Sequence, residues 1–120
     1  GPVRIKVFGS KDCLTCLKAK KWLENHRLAY QFIDLEKTAL SVQDAKELCS
    51  FKEVQATQLF ATWSEAFLKM QVDLSHLQNS QLISLCREHT EVLRRPLIII
   101  DDVLFIGYDE QLLEQLVVHE

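Results

Sequence analysis

An α/β fold built on a mixed four-stranded sheet is predicted by three observations. Val3 to Phe8 alternates as a strand does, Leu14 to Asn25 has helical spacing, and Leu28 to Leu35 is strand-like again. Strand, helix and strand in so short a stretch make a βαβ unit, hence a parallel pair joined by a right-handed crossover. Near the other end, Leu97 to Ile100 is a continuous apolar run and Val103 to Ile106 a second one, separated by Asp101-Asp102. That reads as a hairpin whose first strand is covered on both faces. Between the two units no strand is convincing, so a helical insertion is expected there.

Each element has its own warrant. In the first helix Cys16, Ala19, Trp22 and Leu23 share one side, with Lys18, Lys21 and Glu24 largely on another. Helical spacing recurs over Ser41 to Ser50, Val54 to Phe60, Ser64 to Met70 and Ser80 to His89. Ser41 with Asp44 has the form of a capping box. Ser64, Asp73 or Ser75, and Asn79 or Ser80 are further cap candidates. Gly107 ends the hairpin, and Asp109 caps a last helix over Glu110 to Val117. The order is βαβ, several helices, then ββα, with helices on both faces of the sheet. One domain over 1–120 is expected, with a sheet part at about 3–46 and 92–118 and a helical subdomain at about 47–91.

Composition narrows the function classes. The chain has 120 residues, 48% apolar and 26% charged, with only 3 Gly and 2 Pro, so it can bury a core and is not disordered. No apolar run approaches the ~20 residues of a membrane span. The opening reads as a short alternating segment, so no secretory leader is expected. A net charge of −3 argues against gripping DNA unaided. With no secretion signal and a sufficient core, the four cysteines suggest a reducing, cytoplasmic setting in which any disulfide is reactive or regulatory.

Cys13 and Cys16 form a CxxC at the junction of the first strand and helix. Three readings stand beside each other. In the redox reading, helix amides and dipole stabilise a Cys13 thiolate and Cys16 closes a disulfide on it. In the metal reading zinc would need about four ligands, and His26, His76, His89 and His119 are scattered. The third is two incidental cysteines. The strand–turn–CxxC–helix context favours redox, with no metal or cofactor. Asp12 should oppose the thiolate, Lys11 should favour it, and Thr15 can offer a hydroxyl to a sulfur. A moderate shift at Cys13 is expected. Cys49 and Cys86 read as solitary core residues, and Trp22 and Trp63 as core or edge-packing groups.

With the CxxC in this place, the strand order is the thioredoxin-like arrangement. Pro96, which cannot donate to a ladder, must sit at the start of its strand. Thioredoxin-like folds carry a cis proline there, facing the CxxC. A cis Arg95–Pro96 bond is therefore expected, with Arg95 near Cys13, favouring a thiolate or an oxyanion.

Cys13-Leu-Thr-Cys16, the following Leu17-Lys18-Ala19-Lys20-Lys21-Trp22-Leu23, then Leu93-Arg94-Arg95-Pro96-Leu97-Ile98-Ile99-Ile100-Asp101 and Gly107-Tyr108 resemble the Spx/ArsC family. The resemblance spans nearly all of Val3 to Val117. It implies a cytoplasmic transcription regulator of thiol stress that binds the C-terminal domain of the RNA polymerase α subunit. It implies a Cys13–Cys16 thiol/disulfide switch, no sequence-specific DNA contact by the chain alone, and a protease adaptor as a further partner. Of the arginines that hold an oxyanion in arsenate reductases only Arg95 matches; Trp63 and Gly107-Tyr108 stand where others would be. Leu17 replaces an arginine of Spx proteins, and Gln55 falls at about the position of a glycine used in polymerase contact. Lys18, Lys21, Glu47, Lys52 and Gln55 are the candidate partner surface, as the first helix and the adjoining insertion. The alternatives are a thiol oxidoreductase of glutaredoxin or arsenate reductase type, and a non-redox adaptor.

Overall fold

The computed structural model describes residues 3–37 and 39–117. Strands β1 (Ile5–Gly9), β2 (Gln31–Asp34), β3 (Leu97–Ile100) and β4 (Val103–Ile106) form one sheet in the order β2-β1-β3-β4. β1 and β2 are parallel; β3 is antiparallel to both β1 and β4. Helix α1 (Leu14–Asn25) makes the crossover between the parallel pair, and α6 (Glu110–Val117) closes the described chain. Between β2 and β3 lie α2 (Val42–Leu48), α3 (Ala56–Leu59), α4 (Glu65–Met70) and α5 (Asn79–Glu88), with short 3₁₀ turns at Leu74–His76 and Thr90–Val92. This is the thioredoxin-like βαβ…ββα arrangement predicted from the sequence, with its helical insertion.

The sheet separates two apolar layers, as the period of two along each strand requires. Ile5, Val7, Ile98 and Ile100 face α1 and α6, packing with Ala19, Trp22, Leu23 and Leu113. Phe8, Leu97, Ile99 and Leu104 face the insertion, packing with Ala45, Leu48, Phe60, Phe67 and Leu85 among others. Burial of β3 on both faces explains its unbroken apolar run.

Several boundaries differ from the sequence reading, each for a local reason. β1 starts at Ile5, the partner of Ile100, because the next residue, Asp101, opens the turn to β4 while still donating its N–H to the Arg4 carbonyl (2.8 Å). β2 starts at Gln31 because the Leu28 N–H still closes α1 on the Leu23 carbonyl (2.9 Å). Leu28 and Tyr30 nonetheless pack into the α1 layer. The expected helix over Val54 to Phe60 shrinks to α3, because Phe60 leaves it to bridge Leu93 and the Ala61 N–H donates to the Val92 carbonyl (2.8 Å).

Ser41 does cap α2, accepting from the Asp44 N–H (3.1 Å). The reciprocal half of the box is missing, because the Asp44 carboxylate takes Lys6 instead (2.8 Å). Ser64, Asp73 and Asp109 cap as expected. Gln78, not Asn79 or Ser80, precedes α5, and its N–H donates to the Gln81 side chain (2.8 Å).

Candidate functional site

The site forms where β1 ends and α1 begins. Cys13 is the residue before the first turn of α1, and its Sγ accepts the Cys16 N–H (3.2 Å). Thr15 Oγ1 shares a further hydrogen bond with the same sulfur (3.2 Å). Cys13 is half-buried, whereas Cys16 is fully buried.

The two thiols are therefore unequal. Partial burial pushes Cys13 up, but the Cys16 thiol, the Thr15 hydroxyl and the backbone N–H groups of both residues outweigh it. The net effect holds Cys13 below the ordinary thiol range. Cys16 is pushed up to about 12, first by burial and then by its hydrogen bond to Cys13. The arrangement is one accessible nucleophilic sulfur backed by one protonated, buried sulfur. Such a pair forms and breaks disulfides by attack of the exposed thiolate. The charges of Lys11 and Asp12, prominent in the sequence, are not among the leading causes; hydrogen bonds dominate.

Gly9, which sequence reasoning passed over, supports the pair. A Cβ on Gly9 would lie 2.6 Å from Cys16 Sγ. The end of β1 must therefore carry no side chain for Cys16 to seat against it. Ser10, itself buried, follows in the turn, and its carbonyl accepts the Cys13 N–H (3.4 Å).

Phe8 pairs with Leu97, so the segment before β3 lies at the same end of the sheet as the CxxC. The Arg95–Pro96 bond is cis, as expected. Pro96 is buried just ahead of β3, and its carbonyl accepts the Gly107 N–H (2.8 Å). Arg95 departs from its expected role at Cys13. Its guanidinium donates to the Thr90 carbonyl (2.8 Å) and to Glu36 (3.4 Å). Its charge reaches the CxxC only as a minor field on Cys16. The β2–α2 connection and the turn before β3 have captured the group that sequence placed beside the nucleophile. Trp63 is not core: it is 65% exposed, with the Arg94 guanidinium 5.1 Å above its ring. Leu14 and Leu17, 67% and 42% exposed, flank the cysteines on α1.

The candidate partner residues are not brought together. Lys18 and Lys21 are exposed on α1, on one side of the sheet. Glu47, Lys52 and Gln55 belong to the layer on the other side. Glu47 is also occupied, by Arg4 (2.9 Å) and Lys6 (2.9 Å), which ties α2 to β1. Lys52 is exposed beside a cleft of about 400 Å³ that Glu47, Glu53, Asp101 and Asp102 also line. This cleft sits at the β3–β4 turn, the end of the sheet away from the CxxC. Gln55 precedes α3, its N–H donating to Gln58 (2.8 Å).

Cys49 and Cys86 are not solitary, contrary to the sequence reading. Their sulfurs are 3.7 Å apart, although the residues are 37 positions apart in the chain. Among the described residues no three metal-ligating side chains converge. His26 stacks on Trp22 (centroids 3.9 Å) and His76 pairs with Asp73 (2.6 Å), while His119 lies outside the described residues. No described helix is long and apolar enough to cross a membrane.

Comparison with known proteins identifies the family. The global transcriptional regulator Spx of Listeria innocua is 34% identical over 106 residues, covering 88% of this chain and 81% of that protein. Spx of Bacillus subtilis is 30% identical over the same span and coverage. An arsenate reductase from Vibrio cholerae shares the fold at a TM-score of 0.74 and 18% identity, covering 98% of both chains. A Staphylococcus aureus protein solved by NMR does so at 0.76 and 24%, covering 92% of this chain and 96% of that one. These structural likenesses speak to the fold alone. Residues 8–116 match the ArsC family, so the stretch from the end of β1 through the CxxC, the insertion, the cis proline and the hairpin to α6 makes this chain a member of the ArsC family.

Proposed function

We propose that the chain is a cytoplasmic transcription regulator of Spx type that contacts the C-terminal domain of the RNA polymerase α subunit and is gated by a Cys13–Cys16 dithiol. One observation carries the reading: the unequal thiol pair at the start of α1, in a chain 30–34% identical to Spx regulators over 88% of its length. In the reduced state the Cys13 sulfur rests on the Cys16 N–H and the Thr15 hydroxyl. A hydroperoxide transfers one oxygen to the Cys13 thiolate, leaving as the alcohol or water. The Cys16 sulfur then attacks the resulting sulfenic acid, an S–S bond forms, and water departs. The reading has disulfide closure shift the seat of Cys16 on Gly9 or the first turn of α1. Either motion alters the surface carrying Leu14, Leu17 and Lys18. A tenfold change in partner affinity needs only about 1.4 kcal/mol between the two states.

Arsenate reduction fits less well. An oxyanion beside Cys13 needs guanidinium donors aimed at it, and the Arg95 guanidinium is turned to the Thr90 carbonyl and Glu36 with two of its five N–H groups. Calorimetric titration against the α C-terminal domain, with reductant and after peroxide, tests the proposal. Affinity that differs tenfold or more between the states, with the difference abolished in Cys13→Ser, is the expected result. Equal affinity in both states refutes the gate, and no binding in either refutes the partner.

A further inference from the structure

Helix α2 ends at Leu48, and Cys49 follows as its last hydrogen-bonded residue, its N–H donating to the Ala45 carbonyl. Helix α5 packs against α2 and brings Cys86 to it. The two sulfurs stand 3.7 Å apart. They are in van der Waals contact, close enough for one sulfur to attack the other. Cys86 is fully buried among Leu48, Leu85 and their neighbours, and Cys49 is half-buried at the edge of the same layer.

The pair repeats the asymmetry of the CxxC. The Cys86 thiol donates to Cys49 and holds it below the ordinary thiol range. Cys86 itself is pushed strongly up by that bond and by burial. One sulfur is the more acidic and the more accessible; the other is a protonated reserve behind it. Nothing in the proposed polymerase switch uses either residue.

We infer that Cys49 and Cys86 are a second dithiol site, which a small hydroperoxide converts into an intramolecular disulfide tying α2 to α5. The Cys49 sulfur takes one oxygen from the peroxide, which leaves as water or alcohol. The Cys86 sulfur attacks the sulfenic acid, the S–S bond forms, and the hydroxyl leaves with the Cys86 proton as water. The bond encloses residues 50–85, which contain α3 and α4. Because Asp44 and Glu47 of α2 hold Lys6 of β1, it also ties α5 through α2 to the centre of the sheet.

The test is peptide mass mapping of the full chain after hydrogen peroxide, with free thiols alkylated before digestion. It is run on the unaltered chain and on Cys13→Ser/Cys16→Ser. The expected product is a Cys49 peptide joined to a Cys86 peptide in a monomeric chain, lost on adding dithiothreitol. In the double variant both remaining thiols should disappear together. The inference is overturned if Cys49 and Cys86 stay alkylatable once Cys13 and Cys16 are fully oxidised. It is equally overturned if Cys49 advances to sulfinic acid with Cys86 still free, or joins a different cysteine. Mapping of the unaltered chain decides the matter even if the double variant does not fold.

Discussion

Gly9→Ala probes the packing that seats the buried half of the CxxC. The new methyl would lie 2.6 Å from Cys16 Sγ, 3.3 Å from Cys16 Cβ and 3.5 Å from Phe32 Cε1. An unstrained contact needs about 3.5–4.0 Å, so the sulfur must retreat by about 1 Å. Cys16 has no exposed surface to retreat into, because α1 closes over it. Overpacking of this kind costs about 1–3 kcal/mol. Removing a glycine from a strand returns about 0.5–1 kcal/mol. The net expectation is a loss of about 1–2 kcal/mol. With a urea slope of about 1.5 kcal/mol/M, the unfolding midpoint should fall by about 1 M. The same substitution in a Cys16→Ala background isolates the cause, since Cys16→Ala deletes the sulfur and keeps the Cβ. There the Gly9→Ala penalty should drop by more than half. A neutral Gly9→Ala, or a penalty unchanged by Cys16→Ala, would refute the claim that this glycine exists to seat the sulfur.

Cys13 should alkylate with an apparent pKa below that of an ordinary thiol; Cys16→Ala should raise it, and Thr15→Ala should raise it by less, as followed by the pH dependence of iodoacetamide labelling. Glu47 is raised by burial but held lower on balance by Arg4 and Lys6, so its contribution to stability is present above the unfolded value and lost as the pH falls below 4.5. Glu47→Gln should therefore cost about 1 kcal/mol at neutral pH in urea unfolding, with the gap to the unaltered chain closing in acid; a gap constant with pH would contradict the ion-pair account. A Cys49–Cys86 bond should raise stability by up to about 4 kcal/mol through the closed loop. By calorimetry that is a rise on the order of 10 °C in the melting midpoint, reversed by reductant. Cys13 should also oxidise before Cys49, because it sits at the amino end of α1 whereas Cys49 sits at the carboxyl end of α2, where the helix dipole opposes a thiolate.

What the sequence disclosed follows from the range of each signal. α1, β3, β4 and α6 have the predicted bounds because period and length are properties of neighbouring residues. The CxxC and the cis proline were legible because strand, turn and helix signals surround them. β1 and β2 slipped by a few residues because alternation marks a face, while the ends of β1 are set by a partner strand about ninety positions away and the start of β2 by the closing bond of α1. Arg95 is only partly where proximity to Cys13 would put it: its charge is felt at Cys16, but its guanidinium is held by Glu36 and the Thr90 carbonyl, contacts with no local signal. Asp44 looked like half of a cap and is bound to Lys6 of β1, 38 positions away. The pairing of Cys49 with Cys86 had no local signal at all, because it depends on how α5 docks on α2.

The sheet itself constrains how the four thiols can communicate. Cys16 sits under α1 beside Gly9, whereas Cys49 and Cys86 lie in the layer formed by the insertion. The layers are divided by β1 and β3, whose side chains are buried on both faces apart from the half-buried Lys6. The sheet thus stands between the Gly9 seat of Cys16 and the layer that holds Cys49 and Cys86, which favours reaction within each pair over exchange between them. On the two proposals, oxidation of the folded chain is expected to give Cys13–Cys16 and Cys49–Cys86, and a Cys16–Cys49 link in peptide maps of the folded chain would refute that partition.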